Sequence, residues 1–428
     1  MTQASRELAQ KVRWRLVVPT ILFIFLSSLD RANVSFAALQ MNMDLGFSPS
    51  TYGFGAGILF FGYLTGQYPS ILLFQKIGFK FWVAGLAIIW GIASTAMAFI
   101  HTPMEFYVLR VIIGIAEGGL APGIVLYLSQ FATEKERATT FALPMLAIPL
   151  SIILGGPLSG FLLDMQAPGE MAGWRWMFLA EGTPTILLGL FSLFYFPNTP
   201  QQAKWLSTEE KQWLAANSTN HSKDGEKLTN DWSVALSPIV WSSSLLWFCL
   251  LAGAYGIMFW LPQVVQHMSG ISAFEIGLVN ALPWLGVGIG IYFNSAHSDK
   301  TEERFWHIGL PSAISALAIV AAVASGHGLL SLVMLFVTGL GLGAAQGAFW
   351  ALPTTLFTPA SMAIGVVTIN IAGNTSGAII SQVIGYIREQ SGSYVAPILL
   401  VASLLFCASM IVLLIRLKLV TGLVREAD

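Results

Sequence analysis

Residues Leu109–Tyr127 read LRVIIGIAEGGLAPGIVLY. The stretch is long and apolar enough to cross a bilayer, yet it carries Arg110 and Glu117. Seven residues make two helical turns, so the two charges share a face, about 10 Å apart along the axis. An ionised side chain in hydrocarbon is costly, so such residues face a protein interior or a water-filled path. Gly114, Ala116, Gly118, Gly119, Ala121 and Gly123 keep the same stretch narrow, which lets neighbouring helices approach closely. A second charged pair, Asp30-Arg31, lies inside another apolar segment. The four charges predict a transport protein whose spans bring them together.

Composition agrees with a membrane setting. Of 428 residues, 55% are hydrophobic and only 10% charged, and the mean hydropathy is +0.70. A soluble domain carries about 25% charged residues, so a polytopic membrane protein is expected. A net charge of −1 gives no nucleic-acid footprint. Cys249 and Cys407 both sit in apolar spans and imply no disulfide framework. The first long apolar run reads as a membrane span, not a cleaved signal peptide.

At about 20 residues per crossing the apolar runs predict twelve transmembrane helices, near 16–38, 52–74, 81–100, 105–130, 141–163, 176–196, 238–262, 274–295, 307–325, 329–355, 361–386 and 395–416. With the N-terminus inside, seventeen of the 21 Lys and Arg fall on the cytoplasmic side, among them Arg13, Lys76, Lys135, Lys223, Lys227 and Arg416. Only Arg175 and Arg388 fall outside, and Arg31 and Arg110 are intramembrane. This is the positive-inside pattern of a multi-pass inner (plasma) membrane protein with both termini cytoplasmic.

The longest loop divides the chain into an N-terminal six-helix half (1–196), a cytoplasmic linker (197–237) and a C-terminal six-helix half (238–428). In the linker, Ser207 and Glu210 have capping-box spacing and start a short amphipathic helix. The polar stretch NSTNHSKDGEKLTND after it reads as a flexible connector. The basic turns LLFQKIGFK and NSAHSDKTEERF occupy matching places after spans 2 and 8, as expected for parallel repeats.

The motifs LDRANVSFA (29–37), GYLTGQYP (62–69), LRVIIGIAEGGLAPG (109–123), GWRWMFLAEG (173–182), NTPQQAKWL (198–206), HSDKTEERFWH (297–307), FWALP (349–353) and INIAGN (369–374) run through nearly the whole chain. With them the chain resembles the anion:cation symporters of the major facilitator superfamily. The resemblance implies an all-α membrane fold of two pseudo-symmetric six-helix halves. It also implies uptake of a carboxylate such as tartrate, phthalate, hydroxyphenylacetate or a sugar acid, coupled to a cation, usually H⁺. The chain departs from the superfamily's usual loop after span 2, where Phe74 and Gln75 replace an Asp, while Asp299 is kept in the second half.

Arg31 is the foremost candidate for a substrate carboxylate, because a guanidinium stays charged and its planar fork fits a carboxylate. A structural ion pair with Glu117 or Asp30 is the alternative. Glu117 and Asp30 are the candidate proton carriers, or else charge balance for the two arginines. Arg110 serves substrate contact or structural pairing. The resemblance places Tyr63 in the binding cavity and Asn370 at the substrate, with Asn374, one turn on, a contact or a helix–helix hydrogen bond. Gln67 is more often such an interhelical partner, and Glu181 reads as structural. Trp350, well inside span 10, stacks on or walls off substrate. No metal spacing, nucleotide loop, cofactor site or catalytic triad appears, so an enzyme is not expected. The expected partners are a small organic acid, H⁺ and the lipid bilayer, with the protein a monomer. A proton-coupled drug or metabolite exporter and, with less support, a non-transporting substrate sensor are the rival readings.

Overall fold

The computed structural model describes residues 3–132, 137–166, 168–217, 232–326, 328–357 and 359–426. Lys135, Lys223, Lys227, His327 and most of the polar connector lie outside them. Every regular element among the described residues is helical. The long helices are α1 (Val18–Asp44), α2 (Pro49–Ala96), α3 (Pro103–Gly118), α4 (Leu120–Ser129), α5 (Ala147–Asp164), α6 (Gly173–Tyr195), α7 (Pro238–Ser269), α8 (Ala273–Thr301), α9 (Phe305–Ala324), α10 (Leu329–Phe349), α11 (Pro359–Ser391) and α12 (Val395–Glu426).

Eleven helical stretches among the described residues are long and apolar enough to cross a membrane. The count becomes twelve crossings at α2. Its 48 residues would run about 72 Å at about 1.5 Å each, more than twice a hydrocarbon core of about 30 Å. The helix turns back at Gly78, where φ is +77° and ψ 165°, a backbone state that glycine tolerates. Asn198 fills the turn and accepts a hydrogen bond from the Lys80 backbone N–H at 2.9 Å.

The expected span 105–130 is two helices in line. Pro122 has no N–H to offer the carbonyl of Gly118, so the ladder breaks at Gly119, two residues beyond Glu117. Thr102 and Glu105 cap the start of α3 reciprocally. Several ends differ from the sequence limits: α7 and α8 run on to Ser269 and Thr301, and α10 stops at Phe349.

By contacts the chain forms two compact units. The first comprises Met1–Asn33, Phe61–Gly155 and Gln166–Glu226. Its core is aromatic: Phe79 stacks on Tyr127 with centroids 3.6 Å apart, and buried Trp82 donates its indole N–H to the Ser70 carbonyl at 2.8 Å. Lipid is as apolar as a leucine side chain, so such packing and hydrogen bonds, rather than escape from water, hold the helices together. The linker helix Thr208–Asn217 belongs here, with the expected Ser207–Glu210 capping box formed and Lys11 bridging to Glu210 at 2.6 Å.

The second unit comprises Val34–Phe60, Gly156–Met165 and Lys227–Asp428. It joins the end of α1, the start of α2 and the end of α5 to the helices that follow the linker. Tyr52 donates to the Phe259 carbonyl at 2.7 Å. Glu389 accepts from the Ser48 hydroxyl at 2.9 Å and the Ser50 N–H at 3.0 Å. Asp164 accepts from the N–H groups of Ala273 and Phe274, at 3.2 and 2.8 Å, at the start of α8.

Candidate functional site

In the first unit α1, α2, α3 and α6 converge on Asp30 and Arg31. The Arg31 guanidinium donates through Nη2 to Glu117 Oε2 at 2.9 Å. The Glu117 side chain is fully covered, whereas that of Arg31 is 18% exposed. Arg31 is therefore the partly accessible member of the pair. The other carboxylate oxygen, Glu117 Oε1, is buried without a hydrogen-bond partner. The Arg31 guanidinium also lies 5.1 Å from the centre of the Tyr63 ring, a cation–π contact.

Glycines create the closeness. A Cβ on Gly118 would collide with the Tyr63 carbonyl, and one on Gly66 with that of Ile115. The stripe GYLTGQ on α2 and the stripe GIAEG on α3 thus meet backbone to backbone, which sets Tyr63 and Glu117 on adjacent helices beside Arg31.

Asp30 faces a different set of partners. Trp90 Nε1–H donates to its Oδ2 and the Ser94 hydroxyl to its Oδ1, both at 2.9 Å. Asn33 Nδ2 at 3.4 Å and the Thr185 hydroxyl at 3.5 Å complete a shell of donors. Arg110, 1% exposed, reaches the Asp30 backbone carbonyl at 3.5 Å. The four charges singled out in the sequence therefore lie together: Arg31 pairs with Glu117, Arg110 meets the backbone of Asp30, and the Asp30 carboxylate is held by neutral donors. Sequence reasoning missed Trp90, Ser94 and Thr185. The available signal was an indole N–H in mid-span, which needs an acceptor that lipid does not supply. Buried Glu181 sits one turn from Thr185 on α6.

The second unit holds the other polar candidates. Asn374 Nδ2 donates to both the backbone carbonyl and the side-chain Oδ1 of Asn370, each at 3.0 Å, and Tyr255 donates its hydroxyl to Asn374 Oδ1 at 3.2 Å. A backbone carbonyl only accepts, which fixes the direction of the whole chain. Asn374 must turn its NH₂ toward Asn370, so its oxygen faces Tyr255 and the tyrosine donates. Asn370 Oδ1 is held by the same NH₂, which leaves the Asn370 amide N–H groups as the donors on offer. Tyr255, packed on Phe60 with centroids 4.5 Å apart, is a second residue the sequence reading missed. Trp350 lies one residue past the end of α10 rather than inside a span, because Pro353 starts a new short helix at once. It is 37% exposed and sits edge-on to Trp247 at 5.0 Å. Gln75 is exposed, and Asp299 pairs with Arg304 at 2.7 Å.

The sequence profile of the Major Facilitator Superfamily matches residues 20–382. The chain belongs to the Major Facilitator Superfamily. A relative from Agrobacterium vitis, carrying the name "Putative tartrate transporter", is 37% identical over 409 residues, covering 95% of this chain and 90% of that one. A "Quinolone resistance transporter" from Acinetobacter baumannii is 30% identical over 394 residues, covering 92% and 91%. Among solved structures, a bacterial homolog of the human lysosomal transporter Spinster, in an inward-facing, unoccupied conformation, superposes with a TM-score of 0.76 at 17% identity, over 94% of this chain and 98% of that one. That likeness establishes the superfamily fold. The sequence relatives agree with the anion:cation symporter type that the motifs imply. This superfamily member is a multi-pass integral membrane transporter and not an enzyme.

Proposed function

We propose that the protein takes up a small organic carboxylate together with protons by alternating access. The observation that carries this reading is the Arg31–Glu117 pair: an accessible guanidinium held at 2.9 Å by a covered carboxylate whose second oxygen has no partner. A substrate carboxylate reaching Arg31 competes with Glu117 for the same N–H groups. Once displaced, Glu117 would be a buried anion that has lost its hydrogen-bonded counter-charge, with the more distant Arg110 left, and losing one partner of a buried pair costs about 3–5 kcal/mol. Taking a proton removes that cost. Substrate binding and proton binding therefore favour each other, which is the coupling a symporter needs.

Asp30 is the second proposed proton site, and Arg110 is proposed as a further substrate contact or as a charge that helps keep Glu117 ionised until substrate arrives. Tyr63, Asn370, Asn374 and Trp350 are proposed as additional substrate contacts. The halves 1–196 and 238–428 are proposed to rock about the bound acid, with 197–237 as a cytoplasmic linker, both termini cytoplasmic and the protein a monomer in the inner membrane. The relative named for tartrate supports a carboxylate as cargo.

Reconstituted vesicles with an imposed pH gradient, given a panel of labelled organic acids that includes tartrate, test this reading. Glu117→Gln is expected to lose proton-driven accumulation while keeping counterflow exchange, since the amide mimics the protonated acid. Arg31→Lys is expected to weaken binding severely, because a point charge does not replace a planar fork. Normal accumulation by Glu117→Gln would remove the proton assignment, and unchanged affinity in Arg31→Lys would take Arg31 out of the site. The relative named for quinolone resistance favours one second reading, proton-coupled export. Drug efflux without any acid uptake in the same vesicles would select it.

A further inference from the structure

We propose that the second unit holds a phospholipid of the surrounding bilayer, one acyl chain inside the helix bundle and the phosphate at Arg388. A cavity of about 640 Å³, counting its open part, lies among α7, α9, α10, α11 and α12. Its lining is almost wholly apolar, including Trp260, Val323, Leu335 and Val401. The Ser331 hydroxyl in the wall is committed to the Ala322 carbonyl at 2.8 Å. An ionic cargo would find no partner there, and water needs two or more polar neighbours to stay.

The dimensions match a lipid chain. Along α7 the lining runs from Gly256 to Met268, about 18 Å at about 1.5 Å per residue. Half of a hydrocarbon core of about 30 Å is one leaflet deep. The shallow end of the cavity coincides with the ends of α7, α9 and α11 and the starts of α10 and α12, where a headgroup would lie. Leu329, Leu330 and Val395 are exposed at the starts of α10 and α12, as expected of surfaces that meet lipid.

A cation waits at that level. Arg388 lies one turn beyond the lining residue Ile384 on α11, with its guanidinium 4.3 Å from the ring centre of Tyr394, itself in the lining. No acid among the described residues pairs with Arg388, and its Nε is buried without an acceptor. The adjacent Glu389 is turned to Ser48 and Ser50. His267, in the last turn of α7, brings its ring within 5.3 Å of Tyr394. An uncommitted guanidinium beside an apolar well one leaflet deep suits an anionic phosphate that carries an alkyl chain, since Arg binds phosphate through paired N–H groups.

Native mass spectrometry of the full-length protein in mild detergent, after exchange into phosphatidylglycerol, tests the assignment. Diacylglycerol serves as the chain-only probe and glycerol phosphate as the head-only probe. The wild type is expected to retain one phosphatidylglycerol and neither probe to the same extent. Val323→Phe, which fills the cavity, is expected to lose it. Arg388→Gln is expected to release it several-fold more readily. Retention by Val323→Phe equal to wild type, or no retained phospholipid in the wild type, would overturn the site. Equal retention of phosphatidylglycerol by Arg388→Gln and wild type would overturn the phosphate contact, and with it the proposal of a phospholipid.

Discussion

At Asp30, two strong donors from one face of α2, Trp90 and Ser94, meet the carboxylate from one side while Thr185 approaches from α6. Each oxygen accepts from at least two groups. Asp30→Asn keeps the shape but replaces one acceptor with a donor, so either the indole or the serine hydroxyl is left facing an N–H. The expected cost is about 1–3 kcal/mol, read as a lowered melting temperature of the purified protein. Trp90→Phe, which leaves both oxygens intact, should cost less than Asp30→Asn. The reverse order would mean that packing of the ring, and not its N–H, is what Asp30 needs. In the sequence the acid and the arginines stand out because charge is rare in apolar spans. Their neutral donors do not, because tryptophan and serine in a span pass for packing residues until a partner is seen.

Helices interrupt where single residues forbid the backbone to continue, and these points were only partly legible. Gly78 turns α2 back on itself, and Pro122 with Gly119 breaks span 4 beside Glu117. The turn at Gly78 falls inside the basic turn LLFQKIGFK expected between spans 2 and 3, whereas the break at Gly119 and Pro122 lies within one apolar run, where hydropathy averaged over a window is blind. The end of α10 at Phe349, just before Trp350 and short of the expected limit near 355, is the same failure. The glycine stripes were legible as packing surfaces, although their partners were not. Gly118→Val forces a branched side chain against the Tyr63 carbonyl, and overpacking of this kind costs about 1–3 kcal/mol. Lower thermal stability together with lost transport is expected, and a variant with unchanged melting temperature would contradict the close α2–α3 contact.

The linker helix carries its own pH response. Burial alone would push the Glu210 carboxyl up, but the Lys11 ammonium and the Ser207 donors outweigh it and hold the carboxyl below its usual range. A carboxylate lowered in the folded state contributes stability that is present above its unfolded value and lost as pH falls through the lowered one. Hydrogen exchange across Thr208–Asn217 is therefore expected to be slow near neutrality and to show loss of protection on acidification, beyond the intrinsic pH effect. In Lys11→Gln that loss should begin at higher pH. Identical profiles for variant and wild type would show that the bridge does not hold the helix.

For the whole molecule the decisive feature is charge balance. Asp30, Glu117 and Glu181 are buried in the first unit, with only Arg31 and Arg110 singled out beside them in mid-span. Three acids against two guanidiniums leave one negative charge to be met by a proton or by another partner, and the substrate anion proposed to bind Arg31 would add another. The sequence showed that these charges share a membrane. It did not show which acid each arginine meets, because that depends on how glycine stripes set the helices face to face. Calorimetric titration tests the account most directly, using the organic acid that most raises the melting temperature, in several buffers of different ionisation enthalpy. The account predicts that binding takes up protons from the buffer and that this uptake falls in Glu117→Gln while binding persists. Binding without proton uptake in the wild type, or uptake undiminished in Glu117→Gln, would contradict it.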